Sequence, residues 1–142
     1  MGSRAVILLD THVWVWWVQG DSRLSDAIIA ALDAMPPRSV AISAITFWEV
    51  GMLSQRGNLR LPDETQHWLR TAASDPRIVV IPIGPETAMR AALFSDDYHR
   101  DPADRILMAL TITGDYVLVT EDRRILSYQE ISTLRPVELI GQ

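Results

Sequence analysis

Four short apolar segments, AVILL (5–9), VAIS (40–43), RIVVIPI (77–83) and YVLVT (116–120), constrain this chain more than any other feature. None shows the polar alternation of a strand with one wet face, so each reads as a strand buried on both sides. The segments between them carry helical spacing and helical punctuation. Over 12–19, Val13, Trp14, Trp17 and Val18 fall along one face, and Ser25 is set to cap a helix over 26–34 that MPPRS ends. A helix over about 46–56 closes at Gly57, and another has Pro62 in its first turn and runs to about 73. Pro85 opens the helix in GPETAMRAALFS, and Asp101 with Pro102 opens DPADRILMALTIT, which Gly114 closes. VELI (137–140) reads as a short fifth strand. The alternation predicts an α/β fold: a central parallel sheet of four to five short strands with helices on both faces. Ligands of such sheets bind beyond the carboxyl ends of the strands, near the point where strand order reverses.

Asp10 stands at such an end, where an apolar strand runs straight into a carboxylate. A buried, unpaired charge costs several kcal/mol, so Asp10 needs a capping role, a cationic partner or a metal. Other acids are placed comparably. Glu49 has Ile45 four residues before it and Met52 and Leu53 after it, with no cation within one turn. Asp104 opens a helix that is apolar nearly all round from 106 to 112. Asp101 already serves as its cap, which leaves Asp104 for chemistry. Asp122 follows the strand VLVT, with Glu121 competing for any functional role. The remaining acids fall in loops and helix starts and read as surface.

Carboxylates converging in one cleft repel by several kcal/mol and need a cation unless they protonate. The chain has no cysteine, which excludes disulfides, thiolate zinc sites and a cysteine nucleophile. Oxygen ligands alone favour Mg2+ or Mn2+. His12, His67 and His99 are too scattered to suggest a zinc set, and His12 reads as structural. All 13 basic residues are arginine, so lysine-dependent phosphate loops and Schiff-base chemistry are excluded. The net charge of −5 offers no global basic footprint, and a nucleic-acid substrate would need local arginines or metal to offset its phosphates. The 142 residues suit one domain over 1–142, and no apolar run reaches the roughly 18 residues of a membrane span. No signal peptide is evident, and a chain without cysteine fits a reducing cytoplasm, the expected location.

Together these segments resemble the PIN-domain family, specifically the VapC-type toxins of toxin–antitoxin modules. LLDTHVWVWW looks like the family's opening strand with its first acid, and SAITFWEVGMLSQRGNLRLP is similar to the helix of the second. HRDPADRILMALT matches the third-acid helix, and YVLVTEDRRI looks like the fourth-acid strand and turn. The resemblance covers nearly the whole chain. It implies a PIN-like three-layer sandwich, metal-site roles for Asp10, Glu49, Asp104 and Asp122, and a supporting hydroxyl at Thr120. It also implies Mg2+-dependent cleavage of RNA, a homodimer, and an antitoxin whose tail blocks the cleft. One departure is that relatives often carry lysines after the second acid, where this chain has Leu53 and Asn58.

The leading expectation is a metal-dependent endoribonuclease in which bound metal positions water against a phosphodiester. Arg100, Arg105, Arg123 and Arg124 are candidates for phosphate contact, with solvated surface positions as the competing reading. An aspartyl-phosphate phosphatase or receiver domain fails, because Asp10 is followed by THV and no lysine exists. The alternative is a catalytically silent PIN-like module acting through a protein partner, which an incomplete acid set would favour. Three of the five tryptophans lie in WVWW, which together with the resemblance suggests an apolar homodimer interface.

Overall fold

The computed structural model describes residues 7–141, so residues 5 and 6 of the expected first strand lie outside the described residues. In chain order the elements are β1 (Ile7–Leu9), α1 (Thr11–Gln19), α2 (Asp26–Asp33), β2 (Val40–Ser43), α3 (Ala44–Gln55) and α4 (Thr65–Ala73). They continue with β3 (Ile78–Ile81), α5 (Pro85–Ala92), α6 (Pro102–Thr113), β4 (Val117–Val119), α7 (Arg123–Leu126) and β5 (Thr133–Leu134), then a 3-10 helix over Pro136–Leu139. The strands form one sheet in the order β3-β2-β1-β4-β5, and every pairing is parallel.

Side chains of each strand alternate between two apolar layers. Ile7, Leu9, Val40, Ile42 and Val119 pack with Trp14, Ile28, Leu32 and Trp68 on one face of the sheet. Leu8, Ala41 and Leu118 pack with Leu107, Met108 and Ile125 on the other. Both faces of the inner strands are therefore covered and need no polar alternation. The edge strand β3 leaves Val80 exposed, contrary to the expectation of a strand buried on both sides.

The chain leaves β1 towards β2 and β3, then returns to place β4 on the opposite side of β1. Strand order reverses between β1 and β4, which opens a crevice beyond their carboxyl ends. Asp10 and Thr120 are the residues that leave those two strands, and the Asp10 amide still donates to Val119 O at 3.0 Å.

Several expected boundaries differ. VELI is not a strand: Pro136 suits the first position of a helical turn, and Glu138 N donates to Arg135 O at 2.9 Å. The fifth strand lies earlier, with Thr133 opposite Leu118. Pro62 does not open α4, because Glu64 caps it by accepting from the amides of Gln66 and His67. On α1, Val18 is 41% exposed while Val15 is buried, because Val15 belongs to the apolar layer that contains Trp14 and Val50. The WVWW tryptophans belong chiefly to the interior: Trp14 and Trp17 are buried and Trp16 is partly so, whereas Trp48 is 50% exposed. The Trp17 indole donates to Asp33 Oδ1 at 2.9 Å, and the Trp14 ring packs against Phe47 and Trp68. No described helix is long and apolar enough to cross a membrane.

Candidate metal centre

Asp10, Glu49, Asp101, Asp104, Glu121 and Asp122 line one cavity of about 380 Å³ at the strand-order reversal, together with His12 and Trp16. Four different stretches of chain bring them there. Asp10 ends β1 and caps α1, accepting from Thr11 N at 2.8 Å through Oδ1. Its Oδ2 accepts from Thr120 Oγ1 at 2.6 Å, and Thr120 in turn accepts from the Asp122 amide at 3.0 Å. A single hydroxyl thus ties the ends of β1 and β4 together. Asp10 therefore has a capping role as well as a place in the acid cavity.

Glu49 projects from α3 and accepts from Thr11 Oγ1 at 2.6 Å. That bond uses the only proton of Thr11, so the 3.1 Å contact between Thr11 and Thr46 has Thr46 as donor. Asp101 caps α6 by accepting from the Asp104 amide at 3.1 Å, the structural role expected of it. Its carboxylate also falls with those of Glu49 and Asp104 in a group whose oxygens lie within 4.8 Å of one another. Asp122 caps α7 through Oδ1, accepting from the amides of Arg124 and Ile125 at 2.9 and 3.2 Å. Glu121 forms an exposed ion pair with Arg135 at 3.6 Å.

Reading the sequence missed His99. Its Nε2 lies 2.9 Å from Asp122 Oδ2 and 3.5 Å from Asp104 Oδ2. The connection between α5 and α6 carries it there, and Arg105 folds that connection. Arg105 donates to the carbonyls of His99 at 2.7 Å, Phe94 at 2.7 Å and Ser95 at 3.1 Å. Arg105 is therefore committed to backbone oxygens and is withdrawn as a phosphate contact. Arg124 donates to Tyr128 Oη at 3.0 Å, whereas Arg100 and Arg123 are exposed. The one sequence signal for His99 is its position two residues before the cap Asp101, in HRDPAD.

The electrostatics show what the acids lack. Burial pushes the carboxyls of Asp10 and Glu49 up from their ordinary values, and the Thr120 and Thr11 hydroxyls oppose the shift. Asp104 is pushed up to about 8, first by burial and then by the charges of Asp10, Asp101, Glu49 and Asp122. For Asp122 burial acts upward, but the His99 hydrogen bond and the α7 amides outweigh it and hold the carboxyl below its ordinary value. Three desolvated acids share one cleft, and among the described residues no arginine is paired with Asp10, Glu49 or Asp104. A divalent cation fits this donor set, since carboxylate oxygens suit Mg2+ and Mn2+.

The fold and the cavity define a class: parallel α/β domains that gather carboxylates at the strand-order reversal. The PIN domain family model matches residues 7–131. The chain is 33% identical over 123 residues to Ribonuclease VapC22 of Mycobacterium tuberculosis (strain ATCC 25618 / H37Rv), covering 87% of this chain and 92% of that protein. It belongs to the PIN-domain family. Among solved structures, a DNA-bound VapBC from Salmonella typhimurium matches with a TM-score of 0.71 at 16% identity, over 93% of this chain and 98% of that one. A toxin–antitoxin complex from Klebsiella pneumoniae matches with a TM-score of 0.65 at 22% identity, over 92% and 97% of the two chains. At these identities the solved structures speak for the fold.

Proposed function

We propose that this chain is a metal-dependent endoribonuclease, the VapC-type toxin of a toxin–antitoxin pair, with Mg2+ as its metal and Mn2+ as a substitute. The observation that carries the reading is Asp104: a carboxyl pushed up to about 8 among buried acids, in a cavity at the strand-order reversal. A neighbouring cation favours the ionised form of such a group at neutral pH, against the burial and like charges that raise it. The family membership and the 33% identical ribonuclease support the choice of reaction.

Asp10, Glu49 and Asp104 would hold the ion, with Asp122 at the edge of the same cavity. When bound, a divalent cation supplies charge that offsets the carboxylates and the charge developing at phosphorus. The chain's own residues do the rest. Thr120 and Thr11 fix the orientation of Asp10 and Glu49, so these carboxylates meet the substrate already placed.

Cationic and aromatic groups adjoin the acids, as RNA would require. A hollow of about 300 Å³ shares His12 and Trp16 with the acid cavity and is also lined by Arg23 and Arg60. The Arg23 guanidinium lies 5.5 Å from the Trp16 ring centre, leaving an aromatic and cationic wall on which an unpaired base stacks. These arginines take the place of Arg105 in the phosphate-contact set, beside Arg100 and Arg123. We assign the chain an antitoxin partner, a homodimeric state and a cytoplasmic location on the same reading. The test is cleavage of total RNA by the purified protein with Mg2+, with Mn2+ or with EDTA, beside an Asp10→Asn control. Metal-dependent cleavage lost in the variant is expected. Full activity in EDTA overturns the metal mechanism, and no cleavage with either metal favours the silent binding module.

A further inference from the structure

The acids of the cavity fall into two overlapping donor groups that differ in chemistry. Glu49, Asp101 and Asp104 offer only oxygen, whereas His99, Asp104 and Asp122 add an imidazole nitrogen, and within each group the donor atoms lie within 4.8 Å of one another. Asp104 is common to both. Neighbouring ligands of a six-coordinate ion with bonds of about 2.1–2.2 Å sit about 3 Å apart, and opposite ones about 4.3 Å. The His99 Nε2 separations of 2.9 Å to Asp122 and 3.5 Å to Asp104 match adjacent ligand positions. His99 is also held there from behind, since its carbonyl accepts from Arg105 Nε at 2.7 Å. The imidazole side chain is 20% exposed and the Asp104 side chain 15%, so an ion between them would be largely screened from water.

Resting on the metal-dependent reading above, we infer that His99 is a nitrogen ligand of a second cation position shared with Asp104 and Asp122, and that this position prefers Mn2+ to Mg2+. Mg2+ holds to oxygen ligands and dehydrates reluctantly, whereas Mn2+, a first-row transition ion of similar charge, accepts an imidazole nitrogen beside carboxylate oxygens more readily. The oxygen-only position of Asp10, Glu49 and Asp104, which Asp101 adjoins, would keep its affinity for Mg2+, with Asp104 available to both positions. The His99–Asp122 hydrogen bond of the metal-free chain is the contact that metal binding replaces.

The test uses the full chain with Mn2+ or Mg2+ alone and no RNA. Pulsed electron paramagnetic resonance of the Mn2+-loaded protein should show coupling to an imidazole nitrogen, and His99→Gln should abolish it. His12→Gln should leave it intact, which matters because His12 lines the same cavity. Calorimetric titration should show Mn2+ affinity lowered at least about tenfold in His99→Gln, with Mg2+ affinity changed less than about threefold. Absence of nitrogen coupling in the wild type, or its loss in His12→Gln instead, overturns the inference. So does equal weakening of both metals in His99→Gln, because His99 would then act only by holding Asp122. Nitrogen-coupled Mn2+ in a protein that cleaves no RNA would leave this inference standing and remove the ribonuclease reading. Metal-dependent cleavage without nitrogen coupling would do the reverse.

Discussion

A carboxyl group pushed up to about 8 makes Asp104 the most informative residue in the chain. Unfolded, it ionises near 3.8, so between about pH 4 and pH 8 the metal-free fold holds a proton that the unfolded chain has released. The fold binds more protons than its unfolded state in that window, and stability must fall as pH rises through it. Asp10 and Glu49, also pushed up, act with the same sign. Melts in EDTA should therefore show a lower Tm at pH 8 than at pH 5.5, and Asp104→Asn should flatten that difference. A Tm that rises over this range would mean the acids are not desolvated together. Metal binding at pH 7 should expel about one proton, measurable by calorimetry in buffers of different ionisation enthalpy. Asp10 separates its two roles by substitution. Asp10→Asn keeps the cap and loses the charge but puts an NH2 where Thr120 now donates. Its Tm in EDTA should stay close to that of wild type, the relieved repulsion offsetting the altered hydrogen bond. Asp10→Ala loses the cap and should cost about 0.5–2 kcal/mol. Both should lose the stabilisation that added Mg2+ gives the wild type. At this scale the sequence exposes acids that lack a cation within one helical turn. It hides His99, whose proximity to Asp122, 23 residues away, exists only once the α5–α6 connection is folded.

That connection shows how an element rather than a residue prepares the site. Arg105, on the first turns of α6, gathers the carbonyls of Phe94, Ser95 and His99 and so determines where the chain enters the acid cavity. Arg105→Ala leaves several partly buried carbonyls without donors and should destabilise the fold by about 2–4 kcal/mol. Arg105→Lys should rescue little, since one ammonium cannot reach the fan of acceptors a guanidinium spans. Amide exchange should quicken through residues 93–101 in either variant, and unchanged exchange there would remove Arg105 from this role. Asp101→Ala, by contrast, should cost about 0.5–2 kcal/mol as a lost cap while the protein still binds Mn2+. Elements whose ends carry strong local chemistry were legible: Pro102 behind Asp101, Ser25 before α2, and strands with no polar face. The end of the chain was not. VELI has the composition of a strand, but Pro136 and the Glu138–Arg135 pairing favour a helical turn, and β5 is the short Thr133–Leu134 pair before it. Two residues carry too little pattern to reveal a strand.

At the scale of the molecule, alternation of strands and helices predicted parallel pairing and covered faces, but not which strands are neighbours. The order β3-β2-β1-β4-β5 depends on where each helix finds an apolar surface, which is a property of the assembled sheet. The tryptophans make the same point about association. An aromatic-rich WVWW looked like surplus surface, yet Trp14, Trp17 and Trp68 fill the layer between the sheet and its helices. What the fold leaves outside is different: Trp48 at 50% exposure and Ile83 at 40% line an apolar hollow with Ala44, Ile45 and Pro102. On α5 and at its C-cap, Met89 and Leu93 stand four residues apart at 55% and 75% exposure. The proposed homodimer would therefore bury the α3 and α5 side, with Trp48 as its anchor, since exposed tryptophans are the residues interfaces most often depend on. Light scattering at tens of micromolar should report a dimer for the wild type and a monomer for Trp48→Glu. The variant should keep its fold, because Trp48 is not part of either buried layer. Circular dichroism that matches wild type, with unchanged Mn2+ affinity, would show that the substitution acts on association alone. A wild-type monomer at that concentration would sink the dimer. A dimer that survives Trp48→Glu would move the interface to another face, away from the α3 helix that carries Glu49.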